Sequence, residues 1–521
     1  MVIKLYNGKI YLGDKNYGSD IYIDQAGVIT SERAYEESVE KSDFDLKGNF
    51  VVPAFRDSHA HPLFAGRELL GAEITGLTTL AKIGEKLQQF RSINPDATWL
   101  DGASYDRNLS EAKTRQALDQ YVSDIPVVLH AEDHHTLWVN TKALEAAGLM
   151  DGKLPELTEG GIDLGKDGLP SGILREWQAM QLVLAIAPKF SLEQDVAALL
   201  AAEKLMLAAG IVEIQDAWIE RGMAEVYLAA QEQLQLRYKL AFRVDSASFE
   251  EDFRYAEQLL PKFEASLNIK CQAIKFFIDG VFGSATAAVI EPYKSTGAHG
   301  DLNWNLEDLV TAIGKTHKAG LQTHIHAIGD KGVDFALEAI AKAAKGRFNP
   351  VIAHAELTSS EIIQKAKNLG AVLCVQPFWA QYNGMLNSCS VHLGEKRLDS
   401  LYAIRSMIEN QVTVAFSSDW PVSSYKPLDG ITVAVNRRFS KDQQVHNPTE
   451  AISLEQALDC YSCAVSNMFG SDETGKLSVG EPFDAVILSN DLTEQNLGGF
   501  LTTEVLAVYV AGARLFPYDH H

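Results

Sequence analysis

From about residue 51 onward, short apolar and β-branched runs alternate with amphipathic helical runs, and no other feature restricts the fold as strongly. Eight runs read as strands: "FVVPAFRDSH", "GIVEIQDAW", "LQLRYKLAFRV", "CQAIKFFIDG", "LQTHIHAIGD", "PVIAHAEL", "GAVLCVQP" and "VTVAFSSDW". The segments between them, such as "NLEDLVTAIGKTHKAG" and "DKGVDFALEAIAKAAKG", place apolar residues at i, i+3 and i+4 and end in glycine. Strands that alternate with helices pair in parallel, and eight of them are enough to close a (β/α)8, TIM-like barrel.

The interval between the first two runs is too long for one crossover. Residues about 64–200 therefore carry an inserted subdomain, expected to overhang the top of the barrel. The two chain ends have a different texture. Turn signals such as "YNGK", "DQAGV" and "LKGN" near the start match "GEPFDAVILSNDL" and "EVLAVYVAGARLF" near the end, so the ends are expected to pair into one small β domain. The expected division is residues 1–52 and 469–521 in a β-sandwich formed by both ends, and 53–468 in the barrel.

Composition narrows the partners. With 46 Lys and Arg against 69 Asp and Glu, the formal charge of −23 opposes phosphate backbones and anionic lipid. Nucleic acid is not expected as a partner on this ground. No run reaches the roughly 18 apolar residues of a spanning helix, and the first residues lack the apolar core of a signal peptide. A cytoplasmic protein acting on a small molecule is expected, as a homodimer if it follows the commonest oligomeric state. Five cysteines, an odd number, suit a reducing compartment. Cys460 and Cys463 lie in a helical pattern without a second pair, and read as helix residues.

Chemistry gathers at the strand ends. In "VVPAFRDSHAHP", strand alternation points Asp57, His59 and His61 one way and Ser58 and Ala60 the other. Two imidazoles at i and i+2 near the C-terminal end of a first barrel strand converge on one point in the mouth, which suits a divalent metal. Other runs supply company: Lys275 in the fourth, His324 and His326 in the fifth, His354 in the sixth and Asp419 at the end of the eighth. A lone inward His or Lys is ordinary core, but this many functional types at matching ends point to a metal site.

In that order, these residues resemble the metal-dependent amidohydrolase superfamily, and within it the amidohydrolase-3, or YtcJ-like, family. The stretches that carry the resemblance are "PAFRDSHAHP", "DHHTLWVNTKAL", "SGILRE", "IKFFIDG", "HIHAIGD", "IAHAE", "SSDWPV" and "GKLSVGEPFDAVIL". The resemblance implies that His59 and His61 hold one metal with Asp419 beside them. His326 and His354 would hold a second ion or complete the same site, with His324 the less favoured of its pair. Lys275 would bridge the ions if carbamylated, and Glu176 competes for that role. His135, Asp279 and Trp420 are the candidates for substrate contact. Two departures appear: Ala54 replaces the usual glycine of the first motif, and "HAE" replaces "HAQ" after the sixth strand.

The expected activity is hydrolysis of a non-peptide carbon–nitrogen bond by a metal-activated water, with Asp419 as general base and then acid. One or two divalent ions are expected, zinc being the default for histidine and carboxylate donors. Deamination and ester or lactone hydrolysis are alternatives on the same site, and a non-catalytic barrel that serves assembly is a remote one.

Overall fold

The structure is a computed structural model, and it describes residues 1–106, 109–131, 136–157 and 160–517. Each of the eight runs overlaps one barrel strand: β1 (Phe55–Ala60), β2 (Ile211–Ile219), β3 (Arg237–Arg243), β4 (Ile269–Phe277), β5 (Gln322–Ala327), β6 (Val351–His354), β7 (Val372–Val375) and β8 (Val414–Phe416). They form one sheet in the order β8-β7-β6-β5-β4-β3-β2-β1, with every neighbouring pair parallel. The first and last strands meet through individual bonds. Asp419 N donates to His59 O at 2.8 Å, and His61 N donates to Trp420 O at 2.8 Å. One carboxylate oxygen of Asp57 accepts from His59 N and from Ser418 N, both at 3.1 Å, tying the two strands further.

Helices and turns follow from local chemistry. The helix Ser360–Leu369 starts where Ser359 Oγ accepts from Ile362 N, buries Ile362, Ile363 and Ala366, and stops at Gly370 with φ of +65°. Gly210 leads into β2 with φ of +91°, and a Cβ there would meet Phe55 and Val486 side chains at 2.9 Å. Only glycine fits both conditions.

The run "FVVPAFRDSH" is two strands rather than one. Phe50–Pro53 pairs with Lys9–Gly13 and Ala485–Leu488, whereas Phe55–Ala60 joins the barrel. Ala54 lies between them, after a proline that has no N–H for a continuous ladder. The sheet containing Phe50–Pro53 has six strands, in the order Ala513–Phe516, Val505–Val510, Ala485–Leu488, Phe50–Pro53, Lys9–Gly13, Asn16–Gly18. A four-stranded sheet, Ile29–Thr30, Ile21–Asp24, Val2–Tyr6, Lys41–Asp45, shares a core with it through Leu5, Ile23, Val51, Phe483 and Ile487.

By its internal contacts the chain divides into two compact units, residues 1–62 with 203–521, and residues 63–202. The second unit is built on a mixed sheet of six strands, in which Val127–Ala131 pairs in parallel with Leu100–Tyr105 and antiparallel with Thr136–Val139. Trp138, Leu129 and Ile83 fill one of its cores, and Leu137, Leu174 and Val183 another. No helix among the described residues is long and apolar enough to cross a membrane. The pattern around Cys460 and Cys463 resolves into two helices, Leu454–Cys460 and Cys463–Phe469, and all five cysteines are free.

Candidate metal centre

Between β1 and β2 the register slips by one: Ile214 faces Asp57, but Asp216 faces Ala60. This bulge changes the simple alternation expected along β1. Ser58 Oγ lies 3.1 Å from Cys374 Sγ on β7, while His59 reaches Lys275 on β4 and His324 on β5. Strands that far apart share contacts only through the barrel interior, so consecutive side chains of β1 both face inward. Bulges commonly re-aim side chains next to active sites.

The interior contacts converge on one carboxylate. Asp419 Oδ1 lies 3.0 Å from His61 Nε2 and 3.2 Å from His59 Nε2, and all three residues are buried. Lys275 Nζ lies 3.3 Å from His59 Nε2. The His354 ring centroid is 5.0 Å from that of His59 and 4.5 Å from that of His326. The backbone is unusual at two of these positions: His354 and Asp419 have φ of +75° and +53°. Non-glycine residues held there carry strain, which collects at functional sites.

A second layer sets proton positions. His354 Nδ1 lies 3.0 Å from Gln376 Oε1, while Gln376 Nε2 donates to Ser417 Oγ at 2.7 Å. The amide therefore presents its oxygen to the ring, Nδ1 carries the proton, and Nε2 keeps a lone pair. His61 Nδ1 faces Asp216 Oδ1 at 3.8 Å, and Tyr227 Oη holds the other oxygen of Asp216 at 2.6 Å.

Burial and these neighbours set the charges. Burial pulls His59, His324 and His354 well below the ordinary imidazole value, with Lys275 adding to it for the first two and His326 for the last. His61 is raised, because the carboxylates of Asp216 and Asp419 outweigh its burial. Burial opposes the ionised form of Asp419, yet the His61 hydrogen bond and the charges of His354, His61 and Lys275 hold its carboxyl below the usual range. The Lys275 amine is pulled down to about 7 by burial. Neutral imidazoles at His59 and His354, an ionised carboxylate and an easily deprotonated amine are the states a cation requires of its ligands, whereas His61, held protonated by its two carboxylates, would release its proton to a cation.

The donors also fit a cation by distance. A tetrahedral site with bonds of about 2.0–2.1 Å has edges of about 3.3–3.4 Å, close to the spacing of the Asp419 oxygen from the two imidazole nitrogens. A second donor trio, His59, His324 and Cys374, is equally buried. Its thiol is pushed up to about 12 by burial and sits among Ser58 and Ser417 hydroxyls, so without a cation it is a protonated neighbour of the two imidazoles.

The remaining candidates are placed differently. His326 Nε2 lies 3.3 Å from the Gly280 carbonyl. The carboxylate of Asp279 accepts from three backbone amides, those of Ala288, Ile328 and Gly329, at 2.9–3.0 Å. It thus anchors the loops after β4 and β5. Trp420 is buried against Tyr425. Glu176 belongs to the second unit, where it opens the helix Glu176–Leu184 with φ of +62°. His135 lies outside the described residues. Glu356, the departure in "HAE", is buried with its carboxyl on Tyr402 Oη at 2.8 Å, and burial pushes it up to about 8.

The sequence reading passed over Asp216, Gln376, Cys374 and the true position of His324. Only His324 had a local signal, the repeated HxH spacing. Aromatic rings line the same region: Trp218 is 6.1 Å from His61 and 4.8 Å from Phe277, and Trp379 stacks on His354 at 5.7 Å.

Residues 44–516 match the model of the amidohydrolase family. The chain belongs to that family. It is 28% identical over 489 residues to the protein named "Putative amidohydrolase YtcJ" of Bacillus subtilis (strain 168), covering 90% of each. It is 24% identical over 494 residues to the N-substituted formamide deformylase of Arthrobacter pascens, covering 90% of this chain and 88% of that one. An uncharacterized metal-dependent hydrolase from Pyrococcus furiosus shares the fold, with a TM-score of 0.73 at 24% identity over 95% of this chain and 100% of that one. This amidohydrolase-family chain therefore carries its buried donors on the fold of a metal-dependent hydrolase.

Proposed function

We propose that the chain is a metal-dependent hydrolase that cleaves a non-peptide carbon–nitrogen bond of a small molecule. The observation that carries this reading is the convergence of His59 Nε2 and His61 Nε2 on Asp419 Oδ1. His59, His61 and Asp419 would hold one divalent ion, most simply zinc, and His326 and His354 a second or the remainder of the first. The formamide deformylase relative supports an amide-type substrate.

When bound, the cation supplies Lewis acidity, which lowers the pKa of water and polarises a carbonyl. The chain's own groups do the rest. Asp419, kept ionised, takes a proton from the attacking water and returns it to the departing nitrogen, so that amide and water become acid and amine. Gln376 orients His354 with its Nε2 lone pair available. Trp218, Phe277 and Trp379 offer apolar surface for the part of the substrate beside the cleaved bond.

Lys275 would link two ions as a carbamate. Its neutral amine adds CO₂ and releases one proton, giving an anion that two cations stabilise. An amine pulled down to about 7 supports this step. Glu176 is the alternative bridge. His135 would contact the substrate, and the two sheets of the chain ends would form the sandwich. The five free cysteines support a reducing compartment.

Metal content of protein purified without chelator or metal-affinity resin tests the reading, followed by turnover on panels of amides, esters and heterocyclic amines. One or two ions per chain and selective amide hydrolysis are expected. Protein that takes up no metal after reconstitution would refute it, and turnover restricted to esters or ring amines would move the chemistry to that class.

A further inference from the structure

We infer that His324 is a positioning residue that fixes the metal-binding tautomer of His59. The inference rests on the proposed role of His59 as a ligand through Nε2.

The argument is one of proton count. A neutral imidazole carries a single ring proton, so His59 has a lone pair on Nε2 only when its proton is on Nδ1. That N–H needs an acceptor in a fully buried place. Among the described residues, the hydrogen-bond partner of His59 Nδ1 is His324 Nε2, at 3.0 Å. His324 must then present a lone pair at Nε2 and carry its own proton on Nδ1. That Nδ1 is a buried atom without a hydrogen-bond partner among the described residues. The reverse arrangement, with His324 Nε2–H donating to His59, forces the His59 proton onto Nε2. There it would donate to Asp419 Oδ1, 3.2 Å away, and block coordination.

The pair thus has two states, and ligation through Nε2 selects the one in which His324 accepts. Ligand histidines generally donate their second N–H to a carboxylate, a carbonyl or water. Here a second imidazole takes that place, and β5 holds it rigidly: His324 pairs with Val351 of β6 and Lys275 of β4 in the sheet register. The HxH of β5 therefore divides its labour, with His326 next to His354 and His324 behind His59.

Zinc affinity of the full-length protein, measured by competition with a chelator, tests this. His324→Phe keeps a planar ring but removes the acceptor, and should weaken zinc binding by about 10- to 100-fold. The ions held per chain at saturation should not change. His324→Gln, whose amide oxygen can stand where Nε2 stands, should recover most of the affinity, and Cys374→Ser should bind as the wild type does. Wild-type affinity in His324→Phe would overturn the inference. So would the loss of a whole ion per chain in either His324 variant, or weakened binding in Cys374→Ser, since each would make His324 a ligand in the trio with Cys374. If His324→Phe does not fold, as judged by its metal-free thermal midpoint, His324→Gln against His324→Ala decides the matter by the same comparison. Failure of the underlying reading looks different: His59→Ala would then bind zinc as tightly as the wild type.

Discussion

Asp419 meets His59 twice: its backbone N–H donates to the His59 carbonyl at 2.8 Å, and its Oδ1 lies 3.2 Å from His59 Nε2. One residue pair therefore joins the ends of the barrel sheet and forms an edge of the donor cluster. Closing the barrel and assembling the site are the same event, because β1 and β8 deliver their functional side chains at the point where they touch.

Asp419→Asn should separate the two roles. The amide keeps the backbone bond and one side-chain oxygen, so the barrel should still close and some metal should remain. The group that moves protons is gone, and turnover on an established substrate should fall by about 100- to 10,000-fold. Parallel measurements of metal content and turnover check this. Full turnover with normal metal content would show that another group acts as the base.

His59→Ala and His354→Ala should each lose metal and activity together. Circular dichroism and a thermal melt establish whether the variants fold, and elemental analysis reads their metal. Wild-type stoichiometry in either variant contradicts its place among the ligands.

Much of this was legible in the sequence because strands and barrel ends obey simple periodicities. Each barrel strand announced itself as a short apolar run, and His59, His61, Lys275, His354 and Asp419 came from the ends of such runs. What stayed hidden depends on contacts between distant strands. The bulge that turns both Ser58 and His59 inward arises from register against β2, which no local pattern encodes. Asp216 and Gln376 read as ordinary polar residues, since only the fold puts a histidine beside each. The anchoring by Asp279, a candidate for substrate contact, was hidden in the same way: its oxygens accept three backbone N–H groups that only the fold brings to it.

Away from the donor cluster, Arg56 carries a buried charge network. Its Nε donates to Glu213 Oε2 at 2.9 Å, and it lies 3.5 Å from Asp484, with both Arg56 and Glu213 about 2% exposed. Arg56→Met would leave Glu213 with Lys239, at 3.3 Å, and the charge of Arg237 to balance a desolvated carboxylate. Such one-sided removals cost about 3–5 kcal/mol. Urea unfolding should show a loss of that size with the metal site intact, and a loss below about 1 kcal/mol would mean the network is as weak as a surface ion pair.

Lys275 gives a pH dependence whose sign follows from its burial. Its amine falls from the ordinary 10.5 to about 7 on folding. Between those values the unfolded chain holds a proton that the folded chain lacks, so the stability of metal-free protein should rise with pH across the window. The contribution is about 1.4 kcal/mol per pH unit, vanishing below about pH 7, where both states are protonated. Lys275→Met has no amine to titrate, so the stability gap between wild type and variant should shift in favour of the wild type from pH 7 to 9 in urea unfolding. A gap that stays constant would show that the amine keeps its proton in the folded chain. The same window governs CO₂, which adds only to the neutral amine. At constant dissolved CO₂, reactivation of metal-free enzyme by zinc should therefore speed up towards pH 7 and level off above it, while reactivation indifferent to CO₂ would leave Lys275 unmodified and the bridging role to another group.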